Sequence, residues 1–316
     1  MSRIAALTTA LAAAFAAVPA AAASFLDLST YSVSSNVKLD ALGGMGLEAS
    51  AVTYARDRGT LFFVGDEGLG VVEISRTGQT LGTMSFNWSG AGSSNNDAEG
   101  LTYLGNGQLV VVDERPQVAY RFGFAAGATL GLNSQPKVAI TGSTTSVGNA
   151  GTEGISYDAR DGRFWSVKQD NPAQLRVATL NFAVGGGTAT STTLFSGASS
   201  VLGLNSLSDI QTLAGVDRLV GTTAADNLLV LSLESNKLIE IDRAGNTLSA
   251  LDLAGITAQA IEGVTIDEKG IIYLVAEDSG TGNSRLITLT SPVPEPTSLA
   301  LMAGGLALLG WRARRR

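Results

Sequence analysis

The sequence predicts an all-β protein, a five-bladed β-propeller with four-stranded blades. Three observations predict it. Between the two ends of the chain, short β-branched and aromatic runs alternate with Gly, Asn and Asp turns. No long helical periodicity interrupts them. One unit recurs at a nearly constant interval, the signature of a repeat architecture.

The unit is a small or acidic residue, then Gly or Ala, an alternating strand, a turn with Gly, a second apolar strand and an acidic end. It reads Ser50-Ala51-Val52-Thr53-Tyr54 leading to Val64-Gly65-Asp66-Glu67, and again Glu99-Gly100-Leu101-Thr102-Tyr103 leading to Val112-Asp113-Glu114. A third copy runs from Glu153-Gly154-Ile155-Ser156-Tyr157 to Val167-Lys168-Gln169, and the last from Glu262-Gly263-Val264-Thr265-Ile266 to Ala276-Glu277-Asp278. A weaker copy starts at Ser208-Asp209-Ile210 and resumes at Leu229, with an insertion around 222–226.

The starts are 49, 54, 55 and 54 residues apart, room for four short strands and their turns. Five starts imply five blades, with six as the alternative count. A β-sandwich needs no such repeat, and a β-helix needs a much shorter one. Third strands follow at 71–74 and 237–242, and residues 25–37 precede the first copy, placed to complete the last blade.

The ends read differently. Residues 1–23 have the parts of a secretory signal: Arg3, an Ala and Leu run, and Ala21-Ala22-Ala23 before Ser24, the expected mature start. The propeller spans 24–291. Over 292–316, Pro292, Pro294, Glu295 and Pro296 precede an apolar stretch at 299–311, closed by Arg312, Arg314, Arg315 and Arg316. That stretch is shorter than the roughly 20 residues of a stable spanning helix. The arginines would hold its end on the cytoplasmic side. The three-part order resembles the PEP-CTERM sorting signal. The resemblance implies a Gram-negative bacterium, an exosortase as partner during export, transient inner-membrane association through the C-terminal helix, and delivery to the cell surface or an exopolysaccharide matrix.

Without Arg3 and the four terminal arginines, the net charge of −7 becomes about −12, which disfavours nucleic acid and anionic lipid. The chain has no Cys and no His. Disulfides, thiolate nucleophiles, Ser-His-Asp arrangements and zinc sites of the nitrogen and sulfur type are therefore excluded. A metal here must be a hard ion bound by oxygen.

The first strand of a propeller blade lines the central channel, so Glu99, Glu153 and Glu262 should converge on one rim. Like charges that close repel unless protonated or neutralised. Ca²⁺, taking 6 to 8 oxygens, is the natural occupant, with Asp97, Asp113 and Glu277 as further donors. The competing expectation is that Glu-Gly marks a blade start, the Gly allowing close strand packing.

The Asp-Glu pairs at 66–67 and 113–114 are expected as solvated loop ends. Lys168, in place of the acid in blade three, is expected to form a salt bridge across the rim. Tyr54, Tyr103 and Tyr157 recur at one offset and are expected to pack blades. Phe86 and Trp88 suit either a sugar contact or a loop tucked over the blade edge.

Leu-x-Tyr after Glu-Gly, the Val-x-Asp-Glu strand end, the run 238–245 and Glu262-Gly263-Val264 together resemble the SdiA-regulated family of bacterial propellers, over about 47–289. The resemblance implies a five-bladed propeller distantly related to NHL-repeat proteins, with a calcium site and no established activity. Ser50 in blade one and Leu233 before Glu234 in blade four depart from the pattern. The resulting expectation is a surface or matrix calcium-binding module without catalysis. Its alternatives are a calcium-dependent hydrolase of lactones or phosphoesters, with the metal at the channel mouth, and a purely structural matrix component.

Overall fold

The computed structural model describes residues 25–91 and 96–292. The secretory signal at 1–23, the expected start at Ser24 and the apolar stretch and arginines of the tail lie outside the described residues. Among the described residues no helix is long and apolar enough to cross a membrane.

The N-terminal strand β1 (Ser32–Lys38) belongs to the last blade. Blade one is β2 (Ala49–Ala55), β3 (Thr60–Gly65), β4 (Gly70–Ile74) and β5 (Thr80–Asn87). Blade two is β6 (Ala98–Gly105), β7 (Gln108–Asp113), β8 (Val118–Gly123) and, after the excursion β9 (Thr129–Gly131), β10 (Lys137–Ala139). Blade three is β11 (Thr152–Asp158), β12 (Arg163–Lys168), β13 (Gln174–Asn181) and β14 (Thr188–Ser196). Blade four is β15 (Asp209–Thr212), β16 (Leu228–Ser232), β17 (Lys237–Ile241) and β18 (Thr247–Asp252). Blade five is β19 (Ile261–Ile266), β20 (Ile272–Ala276) and β21 (Arg285–Thr290), with β1 antiparallel to β21 as its outer strand. The five-bladed expectation holds. Blade one is one strand larger than expected, because β9 adds in parallel to β5.

Each blade is a meander of hairpins with turn residues matched to it. Between β6 and β7 the two-residue loop is Asn106-Gly107, both at positive φ (53° and 73°), the pairing a tight hairpin demands. The insertion of blade four folds as short helical turns at Leu213–Gly215, Asp217–Leu219 and Thr223–Asp226.

The core is divided into five apolar wedges, one between each pair of neighbouring blades. This explains why the second strands are unbroken apolar runs. In β7, Leu109 and Val111 enter the wedge with blade one, while Val110 and Val112 enter the wedge with blade three. A strand with period two that is covered on both faces needs apolar residues at every position.

Polar bonds also tie the ring around the channel. One side chain in each blade, three residues beyond the repeat start, meets the next blade. Thr53 Oγ1 accepts the Tyr103 N–H (3.1 Å), Thr102 Oγ1 accepts the Tyr157 N–H (3.0 Å), and Ser156 Oγ accepts the Thr212 N–H (3.0 Å). In blade four Gln211 takes the position, and its Oε1 accepts the Thr265 hydroxyl (3.1 Å). Thr265 Oγ1 in turn accepts the Tyr54 N–H (3.1 Å), returning the belt to blade one. Upstream of β1, the Leu26 N–H donates to the buried Glu240 carboxylate (2.7 Å), pinning the chain start to blade four.

Candidate metal centre

Four first strands begin with the same irregularity. The pairing of first with second strand skips one residue between Ala49 and Ala51, Ala98 and Gly100, Thr152 and Gly154, and Ile261 and Gly263. The skipped residues are Ser50, Glu99, Glu153 and Glu262. A residue bulged out of the ladder re-aims its side chain, and the three glutamates lie near enough to raise one another's pKa, although among the described residues only Glu48, Asp66 and Glu67 bring carboxylate oxygens within 4.8 Å of one another as a group of three. The glycine that follows each has a separate role. A Cβ on Gly100 would lie 3.0 Å from the Glu153 carbonyl oxygen, and one on Gly263 would lie 2.9 Å from Ala51 Cα. The expected close packing at the glycine is present: it lets adjacent first strands touch.

The site is electrostatically strained. Loss of water contact, followed by repulsion from Glu262, Asp66 and Glu114, pushes Glu99 well above the ordinary glutamate value. Glu153 is pushed up by burial and then by Glu99 and Glu114. Burial, then Glu277, Asp66 and Glu48, takes Glu262 to about 8, partly offset by the Ser50 hydroxyl.

A second set of acids comes from the residue after the second strand in blades one, two and five. The pairing register makes Asp66, Glu114 and Glu277 equivalents: each lies two residues beyond the valine that pairs with the small residue after the bulge. Asp66 is raised to about 7, by burial first and by Glu48, Glu67 and Asp97 after it. It also lies with Glu48 and Glu67 in a group whose carboxylate oxygens are within 4.8 Å of one another. Glu114 is 1% exposed. Its Oε1 accepts the Gly151 N–H at 2.7 Å, and the side chain faces Glu153. Glu114 Oε2 and Asp66 Oδ1 are buried oxygens with no hydrogen-bond partner among the described residues.

Asp66 and Glu114 are thus not solvated loop ends. Matching the two Asp-Glu pairs residue for residue is off by one, because the strand pairing aligns Asp66 with Glu114 and Gly65 with Asp113. Of the remaining expected donors, Glu277 faces Glu262. Asp113 is fully buried at the end of β7, and Asp97 is held in an ion pair by Arg115. Lys168 donates to the Asp170 carbonyl and, among the described residues, makes no salt bridge across the rim. Phe86 and Trp88 are tucked: Trp88 Nε1 donates to the Gly68 carbonyl (2.7 Å), and the two rings meet edge to face at 6.0 Å.

Blade four supplies an acid that sequence comparison passes over. Asp209 stands where three blades have the glycine, one residue after the position of the glutamates. It is fully enclosed, its pKa pushed well up by burial, and its two oxygens accept the Ile210 (2.8 Å) and Val264 (2.7 Å) N–H groups. The signal was the carboxyl at a close-packing position, where a neighbour must give way.

An arrangement of carboxylates, with neither His nor Cys in the chain, suits a hard divalent cation.

The chain is similar to a luciferin-regenerating enzyme, with 9% identity, 82% of this chain and 96% of that chain covered, and a TM-score of 0.46. It is similar to a catalytically inactive virginiamycin B lyase from Staphylococcus aureus with quinupristin, with 12% identity, 77% and 66% covered, and a TM-score of 0.39. The PEP-CTERM protein-sorting motif matches residues 292–316, so the chain is exported with a tail for exosortase-dependent processing. The SdiA-regulated family model matches residues 27–279, nearly the whole propeller; the chain belongs to the SdiA-regulated family.

Proposed function

We propose that this exported propeller is a non-catalytic binding module that holds a calcium ion at its acidic channel mouth, displayed at the cell surface or in the extracellular matrix. The ligands are Glu99, Glu153 and Glu262 from the bulges, completed by Asp66, Glu114 and Glu277 from the second-strand ends. Asp97 and Asp113 stand behind them.

The observation that carries this reading is Glu114. Its Oε2 is buried, without a partner, beside Glu153. Two enclosed carboxyls in that position need a proton or a cation between them. A divalent ion beside Glu153 supplies the missing partner for Glu114 Oε2.

Calcium chloride titrated into chelator-treated mature protein should give saturable heat. Melting should shift upward, by about 2.7 kcal/mol of added stability when free calcium is 100 times Kd. Identical melting curves with calcium and with chelator would overturn the proposal.

A further inference from the structure

The first strands carry a different constellation at their other end. At about 3.3 Å per residue, the tyrosine position four residues past the repeat start lies about 13 Å along the channel from the acids. There the channel widens into a funnel of about 670 Å³, within the range of small-molecule sites. Tyr54, Tyr103 and Tyr157, from three successive blades, line it, each half-buried.

Each ring is backed by a neighbour. The Arg76 guanidinium lies 4.8 Å from the Tyr54 centroid, Phe62 stacks on Tyr103 at 5.9 Å, and Phe164 packs against Tyr157 at 4.9 Å. Two hydroxyls are tethered: Tyr103 accepts the Gly107 N–H (2.7 Å), and Tyr54 accepts from Arg76. The tyrosines pack blades, as expected from their spacing, and they also offer the funnel rigid carbon surface that needs no ordering on binding.

The charged groups of the funnel are already matched. Arg56 pairs with Asp217 (2.8 Å) and Arg160 with Asp158 (2.7 Å) and Asp226 (2.9 Å), while Asp57 accepts the Asn106 N–H (2.9 Å). The exposed Asn106 side-chain amide provides a neutral donor and acceptor at the wall, whereas the Gln211 amide is already engaged with the Thr265 hydroxyl and the Thr212 carbonyl. Among the described residues an anionic ligand finds no unmatched cation here, and the one lining carboxylate without an ion pair, Asp57, already accepts the Asn106 N–H. A wholly apolar one would strand the Asn106 amide.

A neutral sugar fits both features, since a pyranose presents C–H faces and an edge of hydroxyls. We infer that the mouth opposite the acids binds the neutral end of an oligosaccharide, with the tyrosines against the sugar faces and Asn106 bonding the hydroxyls. This deepens the binding-module reading by giving it a ligand and does not depend on the cation.

The test uses the mature protein, a panel of neutral glucan, galactan, mannan and N-acetylglucosamine oligomers, and uronate oligomers for contrast. Saturation-transfer NMR and tyrosine fluorescence would be read in calcium and in chelator. At least one neutral series should bind in both buffers. Tyr157→Ala should weaken it about tenfold and Asn106→Gly, which suits the positive φ, about threefold. The glycine variant keeps the test alive if the alanine variant fails to fold. Absence of neutral binding at millimolar concentration, binding of uronates alone, unchanged affinity in both variants, or loss of binding in chelator would each overturn the inference. Sugar binding in a protein that takes up no calcium would overturn only the cation reading.

Discussion

Asp209 of blade four reaches across to blade five, where its Oδ2 accepts the Val264 N–H at 2.7 Å. Its other oxygen holds the Ile210 N–H and lies where a Cβ on Gly154 of blade three would intrude, 2.5 Å away. One carboxyl thus joins three blades. Asp209→Asn turns an amide nitrogen toward one of the two N–H donors, so it should cost about 1–3 kcal/mol. Urea unfolding of the variant measures this, and a curve superimposable on the native one would refute the role.

The channel glutamates should behave in the opposite way. Glu99→Gln, Glu153→Gln and Glu262→Gln keep shape and remove charge, so calcium affinity should fall by about tenfold or more in each. The chelated protein should lose no stability and can gain some, because repulsion is relieved. If the three acids serve only as blade starts, the variants will instead lose stability equally with and without calcium. Titration calorimetry and melting in chelator separate the cases.

Stability should also depend on pH in a direction the cluster dictates. Glu262 is raised from 4.5 to about 8 and Asp66 from 3.8 to about 7. Between the ordinary and the raised values the folded chain binds more protons than the unfolded chain, so stability falls as pH rises. The calcium-free protein should therefore melt higher at about pH 5 than at about pH 8, and calcium should flatten or reverse the slope. Calorimetric scans across this window would show it; a calcium-free protein most stable at pH 8 contradicts the account.

The belt of inter-blade bonds predicts a third kind of variant. Thr102 is 4% exposed and accepts the Tyr157 N–H. Thr102→Val keeps the volume and leaves that N–H unpaired, at a cost of about 1–3 kcal/mol, whereas Thr102→Ser should recover most of it. Equal melting of the two variants would show that the bond contributes nothing.

Processing is checked by intact mass. Protein extracted from the surface of a host with exosortase should begin at Ser24 and lack the terminal arginines, and a retained Arg316 would contradict sorting.

How far the sequence could be read depended on the kind of constraint. Blade number was legible because every second strand must be apolar on both faces, as in Leu109 to Val112, and this recurs with the repeat. Glu99, Glu153 and Glu262 were legible because the glycine beside each marks a close approach. The equivalence of Asp66 with Glu114 was not, since a bulge shifts the register by one and leaves no trace in residue type. Asp209 was hidden for a related reason: its meaning lies in the Val264 N–H of another blade, 55 positions away. The tyrosines announced packing by their spacing. Their second surface exists only once the ring brings three blades to one mouth.

The pairing of β1 with β21 sets an order of events. A chain exported from its N-terminus delivers β1 first and its partner last, and the sorting motif begins at 292, directly after β21 ends at Thr290. Until β21 has crossed, the buckle of the ring has only one half, and the wedge between blades four and five stays uncovered. The ring therefore closes only once the strand that adjoins the sorting motif is in place beside β1.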